Sequence, residues 1–171
     1  MPLVLFTDDS GRDWLAAARR LPRGSAIVIR ARDGKARAEL FDDLSRLEGL
    51  KLLVADDPKL AQAADGLHLP QARAQEAAHW RARHPDWIIT AAAHSLRALM
   101  NLAFVDAAFL SPVFPTTSHP GAAPLSPVRA AFIAAASPVP VYALGGVMAR
   151  NAALLAPAFA GIAAIGALCE S

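Results

Sequence analysis

Short apolar runs alternate with longer amphipathic ones along the whole chain, and this alternation limits the available folds more than any other feature. Residues 3–7 (LVLFT), 26–31, 51–56, 66–70, 87–93, 107–114, 139–146 and 161–168 are apolar runs of strand length. Between them lie helical patterns: DWLAAARRL, KARAELFDDLSRLEG closed by Gly49, and PKLAQAA with Pro58 in a tolerated first position. AQEAAHWRARHP, which stops at Pro85, HSLRALMNLA, SPVRAAFIAAA and ARNAALLAPAF complete the series. Eight strands and seven helices in strict alternation mean a parallel sheet. Strands apolar on both faces need cover on both sides. The pattern predicts an α/β chain: a compact (β/α)8 TIM barrel, one domain over 1–171, with the last helix missing or vestigial. Such barrels typically take about 250 residues. A doubly wound open sheet is the alternative, but no GxGxxG follows the first strand.

Composition excludes several classes. The chain is 54% apolar and 19% charged, with a net charge of +2, so it is globular and offers no basic arm to nucleic acid. Its arginines are scattered over helix faces, as in RARAQEAAHWRARH. The one cysteine, Cys169, allows no internal disulfide and suits a reducing, cytoplasmic setting. MPLVLFTDDS has no basic n-region and too short an apolar run for a signal peptide. Residues 152–169 are uncharged, but Pro157, Gly161 and Gly166 interrupt them, so a helix followed by a buried strand is expected rather than a membrane span.

In a barrel the site lies at the C-terminal strand ends. The polar residues there are Thr7, Asp8 and Asp9; Arg30 and Arg32; Asp56 and Asp57; His68, Gln71 and Arg73; His94; Ser111 to His119; Gly145 and Gly146; and Gly166. All are expected on one rim. LGGV before a helix suits a phosphate, since glycines let backbone N–H groups approach a ligand; a tight turn explains it too. Thr116, Thr117 and Ser118 can donate hydroxyl hydrogen bonds to the same anion, and His119 when protonated, on a loop stiffened by Pro112, Pro115 and Pro120. The alternative is a proline-rich connection with incidental hydroxyls. Asp57 before Pro58 reads as a helix cap, which leaves Asp56 as the site candidate. Arg30 and Arg32 alternate on one predicted strand and suit phosphate or pyrophosphate; pairing with Asp33 or Asp56 is the competing reading.

LFTDDS, IVIRARD, KLLVADD followed by AADGLHLPQ, AAAHS, FLSPVFPTTSHPG, and VYALGGV with GIAAIGAL, in this order, resemble the thiamine phosphate synthase family and its TenI-type relatives, the thiazole tautomerases, from about residue 3 to residue 168. The resemblance implies a (β/α)8 barrel. It implies a phosphorylated hydroxyethyl-thiazole and, for the synthase, a hydroxymethylpyrimidine pyrophosphate with Mg2+. It assigns phosphate binding to Thr116, Thr117, Ser118, Gly145, Gly146, Ala164 and Gly166. It points to Arg30, Arg32, His94 and His119 as catalytic, to Asp8, Gln71 and Arg73 around the pyrophosphate, and to Asp56 as a metal ligand.

The chain departs from the family in the pyrophosphate half. Gln and Glu of the family's Q-x-R-E-K are Val28 and Ala31 here, and Arg32 replaces its Lys. Arg73 stands where the family has a metal-ligating Asp, so a pair between Arg73 and Asp56 is expected in the metal's space. The tautomerase's catalytic His is Pro112. The resemblance implies synthase chemistry, with a tautomerase or a non-catalytic thiazole or thiamine phosphate binder as alternatives. The expected partner is a small phosphate ester, with neither nucleic acid nor membrane. A homodimer covering the flank beside the last strand is also expected.

Overall fold

The computed structural model describes residues 3–116, 123–155 and 157–165. Thr117, Ser118, His119, Gly166 and Cys169 lie outside the described residues. Eight parallel strands close into a barrel in chain order. They are β1 (Leu3–Phe6), β2 (Ala26–Ile29), β3 (Lys51–Ala55), β4 (Gly66–Leu69), β5 (Ile88–Ala93), β6 (Ala107–Leu110), β7 (Val141–Ala143) and β8 (Gly161–Ala164). β1 pairs with β2 (Val4 to Ala26) and with β8 (Leu5 to Ala164), which closes the ladder. The crossovers carry α1 (Trp14–Arg19), α2 (Gly34–Leu44), α3 (Ala77–Arg83), α4 (Leu96–Met100), α5 (Pro127–Ala135) and α6 (Ala149–Ala152). Among the described residues no helix is long and apolar enough to cross a membrane.

The elements are shorter than the apolar runs. Residues 107–114 form a strand only to Leu110, because Pro112 has no N–H and the amide of Val113 bonds instead to the Leu144 carbonyl at 3.0 Å. The run 139–146 is a strand only over Val141–Ala143: it is preceded by Pro140 and followed by two glycines with positive φ. PKLAQAA forms no α-helix but a single 3-10 turn, Leu60–Ala63; so short a segment gains too few bonds to offset nucleation. The segment after β4 starts as a 3-10 turn, Gln71–Glu76, and becomes α-helical only at Ala77.

Side-chain alternation divides the apolar residues into two cores. Val4 and Phe6, Ala26 and Val28, Leu53 and Ala55, and Ala107 and Phe109 face the barrel interior with Tyr142 and Ala163. Their neighbours Leu5, Ile27, Ile29, Leu52 and Val54 pack outward with Trp14, Phe41, Leu44, Leu99 and Ile133 from the helices. The interior is filled edge to face: Phe6 and Phe109 lie 4.8 Å apart at 84°.

His68 is in this interior and not on the rim where the sequence places it. It is 6% exposed, and its ring meets Phe6 at 5.3 Å and Phe109 at 5.4 Å. Being the third residue of β4, it faces inward with Ala55, its partner on β3. Its Nδ1 is 3.0 Å from the Thr90 hydroxyl. Burial, helped by the Arg30 charge, pushes its pKa down to about 3. The unfolded chain protonates this His near pH 6.5, so between pH 6.5 and 3 the unfolded state holds the extra proton. The contribution to stability is complete above that window and is lost as pH falls through it, at up to about 1.4 kcal/mol per pH unit. Denaturant titrations at pH 7, 6, 5 and 4 should therefore show a shallower loss of stability for His68→Leu than for the parent, whatever the variant's baseline.

Candidate active site

The ends of β1 and β2 are joined by side chains rather than by further ladder. The buried Thr7 hydroxyl oxygen accepts the Arg30 N–H at 2.9 Å, and Asp9 Oδ1 accepts the Arg32 N–H at 3.1 Å. β2 has already ended at Ile29, so Arg30 and Arg32 lie on a loop and not, as the sequence suggests, on one strand. Neither pairs with Asp33, which caps α2 by accepting the amides of Lys35 and Ala36, nor with Asp56. Among the described residues the half-buried Arg30 guanidinium makes no hydrogen bond or ion pair, although its charge reaches Asp8 and His68. Burial pushes the Asp8 carboxyl up, but bonds from Ser10 and the charges of Arg12 and Arg30 outweigh it and hold Asp8 below its ordinary value. Asp8 pairs with Arg12 at 3.3 Å.

At the ends of β3 and β4 two arginines engage two aspartates. Asp56 adopts the left-handed region (φ +56°), which Asp tolerates better than most residues. Its carboxylate pairs with Arg73 Nη1. Arg73 also grips Glu76 with two parallel bonds, Nε to Oε1 at 2.7 Å and Nη2 to Oε2 at 2.6 Å. The Trp80 indole N–H donates to the same Oε2 at 3.3 Å. The bonds to Glu76 raise the Arg73 pKa; burial opposes them, and the bond and charge of Asp56 add to the rise, while Arg73 holds the Glu76 carboxyl low. Asp57 pairs with Arg37 at 3.3 Å, and its Oδ1 accepts the amides of Lys59 and Leu60. The resemblance implies Mg2+ here, but the donor set does not fit it. The carboxylate of Asp56 is bound to a guanidinium, and among the described residues no three His, Cys, Asp or Glu side chains group to hold a metal.

A second polar group links β5 to β6. The His94 amide donates to Gln71 Oε1 at 2.8 Å. His94 Nδ1 is 2.7 Å from the Ser111 carbonyl and 3.2 Å from its hydroxyl. A carbonyl only accepts, so Nδ1 carries the proton and neutral His94 has its lone pair on Nε2.

Gly145 and Gly146 have φ of +89° and +65°. A Cβ on Gly146 would lie 2.3 Å from the Pro115 carbonyl oxygen, and one on Gly145 would lie 2.9 Å from Pro112 Cα. The Gly145 carbonyl accepts the Phe114 N–H at 3.0 Å, so the glycine turn and the proline-rich segment are pressed together. Among the described residues the amides of Gly145, Gly146 and Val147 have no acceptor. Thr116 is half-buried where the described part of this loop stops. Ala164 is a buried strand residue paired with Leu5, at the end of β8 rather than on a turn.

Three residues escaped the sequence reading: Glu76, Arg37 and Asn151. Asn151 pins the glycine turn, with Nδ2 donating to the Gly146 carbonyl at 2.9 Å and Oδ1 accepting the Met148 amide at 2.8 Å. The three-residue spacing of Arg73 and Glu76 was the available signal for the first. Gly146→Ala should lower stability by about 2 kcal/mol or more, from the left-handed backbone and the clash, as measured by denaturant unfolding.

Comparison with known proteins agrees with this architecture. A family model described as thiamine monophosphate synthase matches residues 3–168. A relative from Aquifex aeolicus is 38% identical over 93 residues, 53% of this chain and 50% of its own length. The thiamine-phosphate synthase of Chlorobium luteolum is 33% identical over 99% of this chain and 86% of its own. Among solved structures, the thiamine phosphate pyrophosphorylase from Pyrococcus furiosus has a TM-score of 0.78 at 22% identity, covering 99% of this chain and 88% of that one, a likeness of fold. With a closed eight-stranded barrel and a family match across residues 3–168, the chain belongs to the thiamine monophosphate synthase family.

Proposed function

We propose that this chain joins a hydroxymethylpyrimidine pyrophosphate to a hydroxyethyl-thiazole phosphate and releases pyrophosphate. The observation that carries the reading is Arg30: a half-buried guanidinium at the barrel mouth with no ion pair among the described residues. In this reading the bond from the pyrimidine methylene to the pyrophosphate oxygen breaks, and its electron pair leaves with pyrophosphate. The thiazole nitrogen lone pair then forms the new bond to the methylene carbon. Such a reaction asks for a cation beside the leaving group and close placement of the nucleophile. Arg30, with Arg32 beside it, supplies the cation. The amides of Gly145, Gly146 and Val147, without acceptors among the described residues, support a thiazole-phosphate site there, for which Thr116, Thr117 and Ser118 are the hydroxyls the sequence proposes. The single cysteine suits a cytoplasmic setting for this chemistry.

A second reading, a thiazole phosphate tautomerase, is favoured by His94, whose fixed Nδ1 proton leaves Nε2 free to take a proton from a ligand. One experiment separates the two. Incubated with both substrates in EDTA, the protein should form thiamine phosphate by mass spectrometry, and Arg30→Ala should lower kcat/KM on the order of 10²-fold. If no product forms with EDTA or Mg2+, but solvent deuterium enters the thiazole phosphate and stops entering in His94→Gln, the second reading holds.

The homodimer over the flank beside the last strand also remains part of the proposal; Leu154, just ahead of β8, is 64% exposed. Light scattering should give twice the 18.0 kDa chain mass; a monodisperse monomer would rule this out.

A further inference from the structure

We propose that Arg73 is a resident cation: held between the Asp56 and Glu76 carboxylates at the ends of β3 and β4, it occupies the space of a divalent metal and supplies part of that charge, without the octahedral ligand geometry Mg2+ needs. The coupling reading bears only on which reaction this site serves; the cation itself is argued from contacts.

Both Glu76 oxygens are occupied by the Arg73 fork, and one is doubly bonded through Trp80. Asp56 receives the remaining arm of the same guanidinium. A third carboxylate, Asp57, is not available to recruit a metal, because Arg37 pairs with it while its other oxygen caps the following turn. Mg2+ binds at about 2.0–2.1 Å with near-octahedral demands. Entry would require it to expel a guanidinium that holds Glu76 through both oxygens, and to sit beside that displaced cation. Guanidinium holds its charge even when buried, where a lysine ammonium shifts its pKa readily. Its planar fork fits one carboxylate edge-on while a further N–H reaches a second, which a lysine ammonium would do less well.

Mn2+ is the probe, because its free-ion EPR signal vanishes on binding. Titrated with Mn2+, the parent protein should leave the signal undiminished, and its melting temperature should not differ between EDTA and Mg2+. Arg73→Asp should draw down about one ion per chain, as expected where two or three carboxylates converge. Stoichiometric Mn2+ uptake by the parent overturns the proposal, and so does a folded Arg73→Asp protein that takes up none. Should that variant fail to fold, the parent titration alone decides. Absence of coupling in both EDTA and Mg2+, with no Mn2+ uptake by the parent, overturns the reaction reading and leaves Arg73 in its role. Metal uptake by the parent with metal-dependent coupling does the reverse.

Discussion

Barrel closure is the constraint on which everything else rests. β8 returns to β1, so no strand edge is left open, and every C-terminal strand end is brought to one rim. Strands of three to six residues can close so small a ring only if its interior is filled without excess volume. The filling is uneven: alanines at 26, 55, 107 and 163 make room for Phe6, Phe109, Tyr142 and the imidazole of His68. A polar ring in that layer is tolerated because it stays neutral and meets the Thr90 hydroxyl.

The same closure concentrates charge at the rim, and the rim disposes of most of it internally. Asp8 pairs with Arg12, Asp57 with Arg37, and Asp56 and Glu76 share Arg73. Isolated surface pairs of this kind contribute little stability, roughly 0–1 kcal/mol each. Their consequence here is positional. They tie the loops after the strands to one another and engage these carboxylates with Arg12, Arg37 and Arg73. Among the described residues Arg30 forms no ion pair near the mouth, where a bond from its own amide to Thr7 places it.

On the opposite side of the ring, the turn after β7 and the segment after β6 are built against each other. The glycine pair is needed for packing, since a Cβ on Gly146 would collide with the Pro115 carbonyl. Among the described residues the same geometry leaves three successive amides without acceptors. Asn151 holds this backbone shape through its bonds to the Gly146 carbonyl and the Met148 amide.

The sequence by itself determined the order of the strands, the parallel sheet and the family, because each is written in local periodicity or in contiguous motifs such as ADGLHLP and ALGG. It also showed Asp57 as a cap, since capping is decided within a few residues. Strand ends were less legible: Ile29 ends β2 because Thr7 and Asp9, on another strand's loop, take the next amides. Only the tertiary structure decided that His68 lies inside the barrel, since one residue of register separates interior from exterior. Only it decided that Arg73 reaches Asp56 and Glu76 at once while Arg30, among the described residues, forms no ion pair. A side chain's partner depends on which loops the closed ring brings together, and that distance is a property of the ring and not of the residues between them.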